Sequence, residues 1–263
     1  MPEPLELERV EASLRAVEAV ASVVHAVESL ARAQLPLAER AVAEGAEYLE
    51  WVDAVVDRLA GPPRPLEPAR SLTVVVGPER AFSGPLARTV AERAPPEGRL
   101  GLVGARLAEV ARRDASLPPR VVFELAGASS IDELPEASAR LAEAVLAHGA
   151  GAPVDVVHPY GRGVRHVLLL SGEREPRALV HELYSPAGAV LRAAVRESVT
   201  GRLRLVLAEA LLAELRARAA MAERARRAAE DRRAELEASL RVGQREQITR
   251  ELGELTTALL ALE

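Results

Sequence analysis

The chain has 263 residues, more than one small domain needs, so a compact unit plus an extended element, or two compact units, is expected. Half of it is hydrophobic (49%) but only 2% is aromatic, the surplus being Ala, Leu and Val, and the net charge is -5, which argues against nucleic acid as the main partner. There is no Cys, so disulfides, thiolate metal sites and Cys nucleophiles are excluded, and every basic residue apart from His is Arg. The opening Met1-Pro2-Glu3-Pro4 is acidic where a targeting peptide is basic, and no apolar run has the length of a membrane span. A soluble, cytoplasmic chain is expected.

The first element in chain order is a long helix. Apolar residues recur in alternating steps of three and four at Leu7, Val10, Leu14, Val17, Ala21, Val24, Ala31, Leu35, Ala38, Val42, Leu49, Val52, Val56 and Leu59, with Glu28 and Gly45 filling the two remaining positions of the stripe. The mean step of 3.5 predicts a left-handed coil against a partner helix, and the rise of 1.5 Å per residue predicts a length of about 80 Å. Pro36 lies inside the stripe and predicts a kink, since it has no amide donor and crowds the preceding turn.

Gly61-Pro62-Pro63-Arg64-Pro65 cannot continue a helix and marks a boundary. Beyond it, β-rich runs at Ser71–Val76, Arg99–Val103, Arg120–Leu125, Pro153–His158, Arg165–Leu170 and Ala178–Leu183 alternate, in the first half, with helical stretches at Pro85–Arg93, Leu107–Arg113 and Ile131–Ala147. That alternation predicts βαβ units: a mostly parallel, Rossmann-like sheet with an antiparallel tail. From about Arg202 the threes and fours return at Leu211, Leu215, Ala222, Ala225, Ala229, Leu236 and Leu240, slip near Gly243, and resume at Ile248, Leu252, Leu255, Leu259 and Leu262. The fold class expected is therefore α/β, with an antiparallel coiled coil of N- and C-terminal helices flanking a small α/β domain. The expected boundaries are 1–60, 61–186 and 187–263.

The chemistry of turnover is missing from the pattern. Gly77 and Gly84 bracket the turn after the first strand, but no Gly-Lys-Ser/Thr follows. Ser83-Gly84 lacks the Gly at position 81 that a nucleophile elbow needs. The histidines, His25, His148, His158, His166 and His181, show no metal-ligand pairing at helical spacing. No cofactor or metal is expected, and the Arg-rich stretch from Arg216 to Arg233, interleaved with Glu223, Glu230, Asp231 and Glu235, is read as a solvated, salt-bridged helix face.

Three stretches carry a resemblance. Ile248-Thr249-Arg250-Glu251-Leu252-Gly253-Glu254-Leu255 resembles the Ile-Thr-x-Glu-Leu-x-Glu-Ile signature near the C-terminus of gamma subunits of F-type ATP synthases. Aligned on it without gaps, Glu209, Glu214, Arg218, Ala225 and Leu236 fall at the family's spacings. Glu79-Arg80-Ala81-Phe82-Ser83-Gly84 resembles the family's Asp-Arg-Gly-Leu-Cys-Gly turn, and Arg9-Val10, Ser29 and Arg32 resemble its opening helix. The chain departs from the pattern at Gln244-Arg245, where the family has Arg-Gln, at Met221-Ala222, and at Ala228 and Arg241, where it has Asn.

The resemblance implies a non-catalytic central-stalk rotor of a divergent bacterial-type enzyme, on the inner face of the cell membrane, coupling ion flow to ATP synthesis or hydrolysis. Its implied partners are the alpha and beta subunits of the ring, the epsilon subunit and the membrane c-ring. Gln244, Arg245, Thr249 and Glu251 are implied as polar contacts to beta. The alternative from another class is a coiled-coil adaptor or scaffold that carries a non-catalytic α/β module.

Overall fold

The computed structural model describes residues 4–62, 64–65, 71–114, 116–149, 152–170, 172–177 and 185–260. The first helix, α1, spans Pro4–Leu59. Every position of the sequence stripe from Leu7 to Leu59 is buried or half-buried, whereas Val20, Val23, Leu30 and Leu37, off the stripe, are exposed. The helix continues through Pro36, so the ring removes an amide donor without ending the element.

After α1 come the two-residue strand β1 (Arg64–Pro65), β2 (Leu72–Val76), α2 (Leu86–Ala91), β3 (Arg99–Val103), α3 (Ala105–Ala111), β4 (Val121–Leu125), α4 (Leu134–His148), β5 (Val154–Tyr160), β6 (Gly163–Leu170), β7 (Gly172–Glu173) and α5 (Ala187–Leu260). A 3-10 turn at Pro118–Arg120 leads into β4 and another at Ile131–Glu133 into α4. The expected run at Ala178–Leu183 lies outside the described residues.

The chain divides into two compact units, residues 31–218 and residues 1–30 with 219–263, and both long helices contribute to each. The larger unit holds a five-stranded sheet in the order β4-β3-β2-β5-β6. β2 pairs in parallel with β3 and β5, β3 in parallel with β4, and β5 antiparallel with β6. β2 is central and buried throughout, which is why it reads as an unbroken apolar run apart from Thr73. Its side chains alternate: Leu72, Val74 and Val76 meet Leu141 and Val145 of α4 and Leu203, Val206 and Leu207 of α5, whereas Val75 joins Val90 of α2 and Leu107 of α3. The long C-terminal helix thus forms part of the sheet's core as well as of the coil. β1 and β7 form a separate antiparallel pair, and Ala60 bridges Pro176.

Within the larger unit α1 and α5 run antiparallel, with Glu39 beside Arg216, Gly45 beside Leu205, and Leu49 beside Gly201. Asp53 accepts from Ser198 Oγ at 2.7 Å and also pairs with Arg202. The smaller unit is coil alone. Glu28, the polar member of the stripe, lies 3.3 Å from Arg226; Glu18 meets Arg233 at 3.5 Å, and Leu7 packs on Gly243. In both units the α5 partner number falls as the α1 number rises.

Candidate functional site

Three buried polar side chains on α5, Glu209, Glu214 and Arg218, face the larger unit rather than solvent. The step of four places Glu214 and Arg218 on one side of the helix, while Glu209, five residues before Glu214, points well around the axis from them. Glu214 accepts the backbone N–H groups of Glu79 at 2.8 Å and Arg80 at 3.0 Å, holding the loop that follows β2. Burial raises the Glu214 carboxyl above its usual range, and those two N–H groups oppose the rise by stabilising the ionised form. In the same loop Phe82 adopts φ 65° and is half exposed.

Glu79 completes the arrangement. Its Oε2 accepts the N–H of Ala105 at 2.9 Å and of Gly127 at 2.7 Å. These amides lie beyond the C-terminal ends of β3 and β4, where an open parallel sheet commonly presents its amides to a ligand. A carboxylate of the chain itself takes them here. Gly104 has φ 114°, and a Cβ at that residue would fall 2.6 Å from the Gly77 carbonyl, so the turn closes against the Glu79 loop only with glycine. The Gly77–Gly84 segment is therefore a tied structural loop, and Ser83 within it is buried.

The Arg-rich stretch is a salt-bridged face over most of its length. Arg227 pairs with Glu223, Arg232 with Glu235 and Arg233 with Glu237, each within α5. Arg218 departs from the expectation: it is buried, and burial lowers its pKa against the opposing effect of Glu214.

A second constellation was invisible in the pattern of histidines. His158 on β5 has no exposed surface and lies 3.4 Å from Glu209, which also takes Arg165 Nη1 of β6 at 2.9 Å. The Arg165 guanidinium stacks over the Tyr160 ring, 3.2 Å from its centroid. Burial pushes His158 down to about 4 and raises Glu209, the latter opposed by Arg165. A lone His in a strand gives no sequence signal for this, because the partner is 51 residues away on another element.

The four residues implied as partner contacts all lie on the last turns of α5, in the smaller unit, and all are exposed. Thr249 Oγ1 donates to the Arg245 carbonyl at 2.9 Å, and Gln247 donates to Glu251 at 3.0 Å. Among them run Val242, Ile248, Leu252 and Leu255, exposed by 56%, 56%, 59% and 62%. At about 100° per residue, Ile248, Leu252 and Leu255 occupy a narrow arc, and Gln244, Arg245, Thr249 and Glu251 fall within or beside it. The stripe that resumes at Ile248 lies beyond the contact of Leu7 with Gly243, and its residues Ile248, Leu252 and Leu255 are exposed. The side chain of Leu259 and residue Leu262 lie outside the description.

Among the described residues no group of His, Asp and Glu is placed to hold a metal ion, and no helix is long and apolar enough to cross a membrane. Together these features define a class: an antiparallel two-helix coil carrying a mixed α/β sheet, with one helix end presenting an uncovered apolar and polar face. The chain belongs to the ATP synthase family, whose model matches residues 6–262. No curated protein matches the sequence.

Solved structures share the fold. A chain of the Euglena gracilis mitochondrial ATP synthase, in an assembly of OSCP, F1 and c-ring in rotational state 3, matches with a TM-score of 0.68 and 12% identity over 97% of this chain and 94% of that one. A chain of the Euglena gracilis rotor in rotational state 1 matches at 0.59 and 13% identity over 92% and 98%. A chain from the central stalk and c-ring of the Tetrahymena thermophila mitochondrial enzyme matches at 0.56 and 14% identity over 77% and 99%.

Proposed function

We propose that the chain is the gamma-type central stalk of a rotary F-type ATP synthase, a rotor subunit without an active site of its own. The observation that carries the reading is the uncovered end of α5. Val242, Ile248, Leu252 and Leu255 are each more than half exposed along one stretch of helix, and a surface of this kind asks for a partner. A ring of subunits around the shaft meets that need.

In this reading residues 1–60 and 187–263 form the shaft, and residues 61–186 form the domain that faces the epsilon subunit and the membrane c-ring. The alpha and beta subunits surround the shaft. The enzyme sits on the inner face of the bacterial membrane, with the chain peripheral to the bilayer. Gln244, Arg245, Thr249 and Glu251 make polar contacts to beta around the apolar stripe. Each beta subunit faces a different side of the shaft, so rotation shifts the conformational populations of the beta subunits in turn.

The test is co-purification with candidate alpha and beta chains, followed by ATP hydrolysis with and without this chain. One copy per ring and restored sustained turnover support the rotor. A chain that remains alone or dimerises supports the adaptor instead. Replacing Gln244 and Arg245 by Ala is expected to weaken coupling, and unchanged ATP-driven pumping by that double variant removes the assignment of those two residues.

A further inference from the structure

The His158 ring is placed so that its protonation can be read from its neighbours. Nδ1 lies 3.1 Å from the Pro159 carbonyl oxygen, which only accepts, so Nδ1 carries a hydrogen. In the neutral ring Nε2 then carries a lone pair. That atom makes no hydrogen bond among the described residues, yet it faces Glu209 Oε2 at 3.4 Å. Glu209 Oε1 is already engaged by Arg165 Nη1, which leaves Oε2 for the ring.

A carboxylate oxygen opposite an imidazole lone pair in a site that excludes water is repulsive; one proton between them makes the contact attractive. We propose that His158 and Glu209 share a single buried proton and that the pair, held against Arg165, is a pH-sensitive clamp between the β5–β6 hairpin and α5. The proposal is independent of the rotor reading.

The groups that face the pair are Arg165 and His166 from β6, Tyr160 from β5 and Glu209 itself from α5. With one proton in the pair, Arg165 is the only net charge of the His158–Glu209–Arg165 cluster. Loss of that proton to solvent as pH rises restores the repulsion between Nε2 and Oε2. Gain of a second proton as pH falls places an imidazolium beside Arg165 with no anion left between them. Either change loosens the seam between hairpin and helix, so the clamp is closed only in between. Burial acts in the same sense, holding the second proton off His158 until about pH 4 and raising Glu209.

The experiment uses the full chain labelled with ¹⁵N, following the His158 ring nitrogens by NMR from acid to alkaline pH. Amide hydrogen exchange of residues 164–169 is measured over the same range and corrected for intrinsic exchange. The expected result is an Nε2 resonance displaced at neutral pH from that of a bare acceptor, with two separate titration steps. Protection of the hairpin is expected to be highest between those steps and to fall at least tenfold on either side. In E209Q the side-chain N–H donates to Nε2 wherever the ring is neutral, while its carbonyl still accepts from Arg165, so the alkaline step disappears. An Nε2 resonance that stays at the bare-acceptor position overturns the proposal, as does an alkaline loss of hairpin protection that E209Q leaves unchanged. Should E209Q fail to fold, the wild-type resonance decides alone.

Discussion

Glu214 joins α5 to the loop after β2 through two backbone amides, and its removal leaves both part-buried donors without that acceptor. A hydrogen bond of this kind is worth about 0.5–1.5 kcal/mol net, so losing two is expected to make Glu214→Ala destabilising by about 1–3 kcal/mol and the 79–84 loop sensitive to protease. Urea unfolding and limited proteolysis check both effects; an unchanged midpoint would show that the loop is held by other contacts. This residue was marked in the sequence by its spacing from the C-terminal signature. His158 was not, because nothing along a strand says that one position will be sealed beneath a helix. Its folded pKa of about 4 lies below the usual 6.5. The stabilisation it reflects is therefore present above about pH 6.5 and is lost as pH falls through the folded value. Between those limits the wild type is expected to lose up to about 3 kcal/mol more than His158→Phe, as read by urea unfolding at a series of pH values.

At the scale of elements, legibility followed periodicity. The stripe of α1 was readable position by position because a long helix repeats its burial pattern many times, and Glu28 fits it by taking Arg226 as its partner. The five strands of the main sheet were readable as β-rich runs, to within one or two residues at most ends. The pair β1 and β7 was not, since two residues carry no period. Nor was the close contact at the edge of the sheet, where β3 and β4 shift register between Leu100 and Gly101. There the Phe123 ring lies over Gly101 so closely that a Cβ would fall 2.1 Å from it. Gly101→Ala must displace that ring, and overpacking of this kind costs about 1–3 kcal/mol. Pairing it with Phe123→Leu should recover part of the loss in thermal unfolding. If the double variant is as unstable as the sum of the single ones, ring displacement is not the cause.

At the scale of the whole molecule, stability and assembly draw on different residues. The buried stripe of α1, the two faces of the sheet and the α5 residues from Leu191 to Leu236 supply the core. Ile248, Leu252 and Leu255 contribute little to it, each being more than half exposed. Replacing all three by Gln, a residue of comparable helix propensity, is therefore expected to change the unfolding free energy of the isolated chain by less than about 0.5 kcal/mol. Assembly should respond in the opposite way. Full burial of such a side chain is worth about 1.5–3 kcal/mol, and more than half of that remains unrealised for each residue in the isolated chain. A loss on the order of 3 kcal/mol on substitution corresponds to binding weaker by about 100-fold. Titrating the chain into a preformed ring of alpha and beta subunits measures this directly. Undiminished affinity in the triple variant would mean that the uncovered end of α5 is not what the ring grips, and would move the search for the contact to the exposed outer face of α1 around Tyr48, Trp51 and Val55.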